Sequence, residues 1–193
     1  GIKNTRGYQE VINLAKILNI PIVSSAGHGD AIPFNENLYA GQMGPRGNPI
    51  ASKLVKEADV ILALGTRLGF NSTFFSYENI NKQASIIQID IEPTSLGRYF
   101  PITIGICADA KKVAKELYSK ISLNKEITKI EKWTKNFLDE RKKYLINRDV
   151  IADINTHPIQ PTGLFKILRE TLPINSAITL DAGTLCLQAT DML

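Results

Sequence analysis

Ala58-Asp59-Val60-Ile61-Leu62-Ala63-Leu64-Gly65-Thr66-Arg67-Leu68-Gly69 contains five consecutive apolar residues, Val60 to Leu64, closed off by a glycine. The run is too short to cross a bilayer. It is also continuous where a half-exposed strand would alternate with polar residues, which predicts a strand covered on both faces. Four similar runs, each bounded by Gly, Pro, Asp, Asn or Ser, occur at Pro21–Ser25, Ile86–Asp90, Ile102–Cys107 and Ala177–Asp181. Helical patterns fall between them. Tyr8–Leu18 puts Val11, Leu14, Ala15 and Leu18 on one stripe, and Ile50–Ala58 does the same with Ile50, Leu54 and Ala58. Asn48 and Pro49 supply an N-cap and a first-turn proline for the second helix, and Asp109 caps Ala110–Tyr118.

Strands and helices in alternation predict βαβ crossovers, and so an α/β fold with a doubly wound parallel sheet. Ligands of such sheets sit beyond the carboxyl ends of the strands, so the loops at Gly65–Phe70, Asp90–Pro93 and Asp109 come first as candidate sites. Beyond Ser119 the pattern changes. Residues 125–148 lack strand signals and place Ile127, Ile130, Trp133, Phe137, Tyr144 and Leu145 mostly at helical spacing, which predicts one amphipathic helix with its charges in water. After Pro158 a second α/β unit begins: a helix opened by Pro161, a turn at Leu172–Asn175, and the strand ending at Asp181.

Composition narrows the function classes. The chain has 193 residues, 44% hydrophobic and 22% charged, with 13 Gly and 9 Pro, the profile of a folded globular protein. No signal peptide or membrane span is visible, and with two cysteines and two histidines there is no disulfide framework or cysteine-rich zinc module; a cytoplasmic setting is expected. The net charge of +4 is unevenly spread: 0 over residues 1–110, +7 over 111–148 and −3 over 149–193. A basic surface for nucleic acid would require that excess to be spread over the fold, so no nucleic-acid partner is expected.

Several patches combine glycine with polar residues, and each has a plain structural reading beside the functional one. In Gly65-Thr66-Arg67-Leu68-Gly69, glycine lets amides approach a phosphate that Arg67 could clasp, or the segment is a tight βα turn with a solvated arginine. Gly41-Gln42-Met43-Gly44-Pro45-Arg46-Gly47 precedes a capped helix whose N-terminus attracts anions, or is a long flexible connection. Asp90 and Glu92 end a strand where an acid can hold a ribose, or Glu92 is simply kept extended by Pro93. His28 lies in a loop after the first strand with no second histidine nearby in sequence. Asp181-Ala182-Gly183-Thr184-Leu185-Cys186 is a strand end followed by a helix start at Thr184, able to seat a diphosphate or serving as an ordinary βα turn. Cys186 reads as a small buried hydrophobe before it reads as a nucleophile. No Ser/His/Asp order, HExxH pattern or paired-cysteine metal site can be assembled.

In this order the patches resemble thiamine diphosphate-dependent enzymes of the acetolactate synthase-like superfamily. The resemblance rests on Gly1–Asn19 with Ile20-Pro21-Ile22-Val23, Gly44–Gly47, Ala58–Arg67, Ile86–Asp90 and Gly105-Ile106-Cys107-Ala108-Asp109-Ala110. More narrowly, His28-Gly29-Asp30-Ala31-Ile32-Pro33, Leu62–Gly69 and Asp181-x-Gly183-x-x-Cys186-x-x-Ala189 are similar to stretches of sulfoacetaldehyde acetyltransferases. The resemblance implies a central domain of Rossmann-like, DHS-like nucleotide-binding topology over residues 1–119, a helical linker over 120–158, and the start of the cofactor-binding (PP) domain over 159–193. It also implies that a strand expected before Gly1 is missing and that the chain is a piece cut from a larger enzyme.

That parent enzyme would be a transferase or lyase acting on a small 2-oxo acid or aldehyde with thiamine diphosphate and Mg²⁺, as a homodimer or homotetramer. Its activating glutamate and its Mg²⁺ motif, a GDG followed by Asn, have no counterpart here. No catalytic residue and no metal ligand are therefore expected in this chain, which alone would be inactive. Gly183, Thr184 and Leu185 match the stretch that approaches the diphosphate. Some relatives hold FAD or ADP at positions corresponding to Gly44, Gly47, Gly65, Thr66, Arg67 and Asp90. Leu68-Gly69-Phe70 departs from the acidic stretch of flavin-binding relatives, which counts against FAD. Two other classes remain: a stand-alone FAD-, ADP- or NAD-binding module, and a binder of nucleic acid or acidic partners through residues 111–148, against which Trp133 and Phe137 stand at core spacing.

Overall fold

The structure is a computed structural model and describes residues 1–44, 47–123, 131–173, 175–181 and 183–193. Two compact units divide it, Gly1–Leu138 and Asp139–Leu193. In the first unit the order is α1 (Ile2–Thr5), α2 (Tyr8–Leu18), β1 (Ile22–Ser24), β2 (Tyr39–Gln42), α3 (Pro49–Glu57), β3 (Val60–Leu64), α4 (Phe70–Thr73), β4 (Ser85–Asp90), β5 (Ile104–Cys107) and α5 (Ala110–Ser122). Short 3₁₀ turns lie at Gly29–Ala31 and Pro93–Ser95. Helix α6 (Glu131–Ile151) runs from this unit into the second, which adds α7 (Pro161–Thr171) and α8 (Thr184–Met192).

Local chemistry starts and stops these elements, at Asn48, Asp109 and Pro161 as the sequence predicts. Asn48 Oδ1 accepts from the amides of Ile50 (2.8 Å) and Ala51 (3.3 Å), and Asp109 Oδ1 accepts from Lys112 (3.0 Å), so α3 and α5 open on satisfied donors. Helix α2 ends on Asn19 in the left-handed conformation, φ 54°. Pro161 occupies the first turn of α7, where a missing amide costs nothing.

All strand pairings are parallel: β1 with β2, and β3, β4 and β5 in that order. Two apolar cores lie on the two faces. Ile22, Tyr39, Leu62, Leu64, Ile87, Ile89 and Ile106 pack with α2 and α5 on one face. Val23, Ala40, Ile61, Ala63 and Ile86 pack with α3, Phe100, Trp133 and Phe137 on the other. Since side chains alternate faces along a strand, this division shows helices covering both sides of parallel strands, the doubly wound α/β arrangement. Ile89 has no exposed surface, and burying such a side chain is worth about 1.5–3 kcal/mol.

The second unit has its own small core of Ala152, Phe165, Ala189 and Met192, with Leu168 and Leu193 against it. Polar contacts tie its helices together. Arg148 donates from NH1 to the carbonyl of Asp191 (2.6 Å), Lys166 to the carbonyl of Asp149 (3.1 Å), and Tyr144 hydrogen-bonds the Asp191 carboxylate. Burial and that carboxylate push the Tyr144 phenol well above its ordinary value.

Several expectations need correction. Ala177–Asp181 does not form a strand, and Ile178 and Leu180 are exposed. Its β-branched composition is not enough without a partner ladder. Tyr39–Gln42 is a strand that the sequence reading missed, so Gly41 and Gln42 are not part of a flexible connection. Coverage on both faces fails at the strand ends and the sheet edge, where Val60 is 56% and Ile104 49% exposed. Residues 125–130 of the expected linker helix, including Ile127 and Ile130, lie outside the described residues, as do Pro45, Arg46 and Ala182 and, in the turn at Leu172–Asn175, Ile174. From Glu131 the helix continues three residues past the expected end, to Ile151.

Candidate functional site

The carboxyl ends of β1, β2 and β3 come together, with β4 beside them. Gly65 leaves β3 at φ +63° with its amide donating to the Ile89 carbonyl (2.8 Å). A Cβ on Gly65 would stand 2.6 Å from the Gly1 Cα and 3.4 Å from the Ala110 Cβ. Glycine is thus required here by the first residue of the chain lying against it. Thr66 turns its hydroxyl toward Ser25 Oγ (2.8 Å), and its Oγ1 accepts from the Leu68 amide (3.3 Å). Leu68 is buried at φ 51°, a conformation costly for a branched residue. The fully buried Thr73 hydroxyl fixes this bend by donating to the carbonyls of Leu68 (3.0 Å) and Gly69 (3.1 Å) while accepting from the Phe75 amide.

The second glycine patch reaches the same place. Gly44, at φ +127°, exchanges hydrogen bonds with Ser52 Oγ, and a Cβ on it would stand 2.6 Å from the Asn71 carbonyl oxygen. A Cβ on Gly47 would stand 2.3 Å from the Gln42 carbonyl oxygen. The Ala26 amide donates to Ser72 Oγ (3.3 Å) and the Gly27 amide to Gln42 Oε1 (2.7 Å), joining the β1, β2 and α4 loops. On the β4 side, Asp90 Oδ1 accepts from the Glu92 amide (3.0 Å) and Glu92 accepts from the Thr94 amide and hydroxyl, which holds the Glu92 carboxyl below its ordinary value.

The structure therefore brings Gly44, Gly47, Gly65 and Thr66 into one cluster of loops and leaves Arg67 exposed at its rim, with no side-chain partner among the described residues. Arg67 and Asp90 do not pair. His28 is exposed, in a loop tied by backbone bonds, and stands in no catalytic constellation. A side chain at Gly44, Gly47 or Gly65 would meet the protein's own backbone, and the Thr66 hydroxyl is turned to Ser25.

The sequence reading missed Ser25, Gln42, Ser72, Thr73 and Gln88, which hold the loops. Gln88 left a signal: a single amide inside Ile86-Ile87-Gln88-Ile89 must find buried partners. It is 2% exposed, donates to the carbonyls of Thr66 and Ser95, and accepts from the Gly97 amide.

In the second unit Gly183 is the N-cap of α8, and a Cβ on it would meet nothing within 4 Å. Thr184 and Leu185 follow, both exposed. The Cys186 amide donates to the Gly183 carbonyl (3.0 Å), while the amides at Gly183, Thr184 and Leu185 have no acceptor one turn back in the helix, an arrangement that suits an anion such as a diphosphate. Cys186 is half-buried. Among the described residues no group of three or more His, Cys, Asp or Glu side chains is placed to hold a metal ion, and no helix is long and apolar enough to cross a membrane.

Residues 1–117 match the family described as thiamine pyrophosphate enzyme, central domain. The chain is 42% identical over 111 residues to a sulfoacetaldehyde acetyltransferase of Roseovarius nubinhibens, which covers 56% of this chain and 18% of that protein. It is 38% identical over 124 residues to a probable sulfoacetaldehyde acetyltransferase of Rhizobium meliloti, covering 63% and 21%. An acetolactate synthase large subunit of Buchnera aphidicola is 30% identical over 189 residues, covering 95% of this chain and 32% of its own length. The chain thus spans about a fifth to a third of the length of these curated relatives.

Proposed function

Since the chain belongs to the thiamine pyrophosphate enzyme central-domain family, we propose that it is the non-catalytic middle of a thiamine diphosphate-dependent transferase or lyase. Residues 1–119 form the central domain, 120–158 a helical linker and 159–193 the start of the cofactor-binding domain. The parent enzyme is of the sulfoacetaldehyde acetyltransferase or acetolactate synthase type, a cytoplasmic homodimer or homotetramer acting on a 2-oxo acid or aldehyde. One observation carries this reading: the family match covers residues 1–117, and the chain spans only about a fifth to a third of the length of the enzymes it resembles.

Gly183, Thr184 and Leu185 are the residues of this chain that would hold the cofactor's diphosphate, through the backbone amides at the start of α8. When bound, thiamine diphosphate supplies a carbon nucleophile for carbonyl groups and an electron sink, with Mg²⁺ held by residues other than these. The part played by this chain is to bind and orient. The first turn of α8 presents its amides and the positive end of the helix to negative charge. The central domain positions the linker.

Two measurements on the 193-residue chain test this. Turnover of pyruvate or sulfoacetaldehyde by the chain alone overturns the non-catalytic assignment. Calorimetric titration with FAD, ADP and NAD is expected to give flat traces. The exposed and unpartnered Arg67 favours the second reading, a stand-alone nucleotide-binding module, and tight binding lost in Arg67→Ala would establish that reading instead.

A further inference from the structure

In the second unit, side chains of α6 and α7 converge on the last residues of α8. Arg148, on α6, donates from Nη1 to the Asp191 carbonyl (2.6 Å) and from Nε to Asp149 Oδ1 (3.3 Å). Arg169, on α7, follows the same pattern, with Nη2 donating to the same Asp149 oxygen (2.8 Å) and Nη1 to the Met192 carbonyl (3.2 Å). Asp149 thus stands between two guanidinium groups, each of which directs another arm at the α8 backbone. Tyr144 lies one turn before Arg148 on α6, and its hydroxyl donates to the Asp191 carboxylate. Burial and that carboxylate keep the phenol protonated, so it remains a donor across the ordinary pH range.

Apolar packing alone would hold α8 loosely. Among its described side chains only Ala189 and Met192 are buried, against Phe165 of α7, whereas Thr184 and Leu185 at its other end are exposed. Apolar contact has no preferred direction, so two such residues leave the helix free to turn or slide. Hydrogen bonds from charged donors are short and directional, and the Arg148 side chain is only 8% exposed, where water competes little. Because a helix is stiff and rises about 1.5 Å per residue, Gly183 lies about 12 Å from the held end, and a tilt of about 10° there moves the first turn by about 2 Å. A diphosphate held by hydrogen bonds does not tolerate such a displacement.

We propose that Tyr144 and Arg148 are positioning residues for the cofactor's diphosphate, holding α8 in the direction that turns the amides of Gly183, Thr184 and Leu185 toward the anion. Asp149 and Arg169 complete the clamp by fixing the Arg148 side chain and the Met192 carbonyl. Both residues act through α8 from its far end. The inference rests on the reading of Gly183, Thr184 and Leu185 given under the proposed function.

Titration of the 193-residue chain with inorganic pyrophosphate, followed amide by amide by NMR, tests it. Shifts are expected to concentrate at Gly183, Thr184 and Leu185. Tyr144→Phe removes one hydroxyl, and Arg148→Lys keeps the charge but loses the fork, so neither alters long-range attraction for the anion. Each is expected to weaken pyrophosphate binding about three- to tenfold, on the scale of one lost hydrogen bond to a charged group, while the chemical shifts of α8 stay helical. Leu168→Val trims the small core without touching the clamp and is expected to lower the thermal midpoint with affinity unchanged. No shift at Gly183, Thr184 and Leu185 in the unaltered chain overturns the cofactor reading of that turn and the proposal with it. Shifts there with unchanged affinity in Tyr144→Phe and Arg148→Lys overturn the proposal alone. So does an equal loss of affinity in Leu168→Val, because the clamp would then act only through stability.

Discussion

Gln88 donates its side-chain amide to the carbonyl of Thr66 at 3.0 Å, tying the buried centre of β4 to the loop that leaves β3. The same amide donates to the Ser95 carbonyl at 3.2 Å, and its oxygen accepts from the Gly97 amide at 2.8 Å. One side chain thus sets the spacing of three loops at the strand ends. Gln88→Leu keeps the volume and strands those three backbone groups, so it is expected to cost about 1–3 kcal/mol. The check is the thermal midpoint of the first unit, expected to fall by several degrees.

Gly65→Ala meets two obstacles at once. The residue sits at φ +63°, where a Cβ costs roughly 1–2 kcal/mol, and that Cβ would stand 2.6 Å from the Gly1 Cα. Displacing the start of the chain is the cheaper response. The expected outcome is partial destabilisation together with loss of amide-exchange protection in α1. A variant that leaves α1 undisturbed contradicts the packing of Gly1 on Gly65.

Asn48→Ala removes the acceptor for two amides at the start of α3 and is expected to cost about 1 kcal/mol, within the range of 0.5–2 kcal/mol found for caps. Asn48→Asp keeps an acceptor and adds a negative charge at the positive end of the helix, so it should retain most of the stability. Chemical denaturation of the pair distinguishes a cap from a buried spacer: if both variants lose stability equally, the cap is not the reason.

The second unit should be sensitive to acid through Asp149. Burial pulls its carboxyl upward, but the hydrogen bond and charge of Arg169, 2.8 Å away, and the nearby Arg148 hold it below its ordinary 3.8. A carboxyl lowered by folding contributes stability that is fully present above pH 3.8 and is lost as pH falls through its lower folded value. Acid titration of the helical signal of the second unit should therefore show a loss beginning below pH 3.8 that is absent in Asp149→Asn. Because the side chain is well exposed, the effect is modest.

Much of the first unit could be read from local sequence. Val60–Leu64, Asn48 before Pro49, and Asp109 before Ala110 each carry a signal within a few residues, and each stands where it was expected. Tyr39-Ala40-Gly41-Gln42 carries no such signal, because its glycine and short length suggest a turn. It is a strand because it lies beside Ile22–Ser24. Ala177–Asp181 is the converse, a strand-like composition that forms no strand. At the candidate site the glycines could be picked out, but what fills the space above them could not. Gly44 and Gly65 read as openings for a ligand, and the structure adds that Asn71 and Gly1, residues distant in sequence, lie close against them.

The sequence by itself determined which segments are helix or strand wherever a cap, a proline or an unbroken apolar run acts over one or two turns of chain. The alternation of strand and helix patterns also led to the expectation of parallel strands, which the pairings show even where, as between β1 and β2 or β4 and β5, the connection holds only a 3₁₀ turn and loops. Only the tertiary structure decided which strand edges pair and which glycines lie close against distant backbone. The reason is physical: capping and periodicity are local interactions, whereas a ladder hydrogen bond or a close backbone approach exists only after distant segments have met.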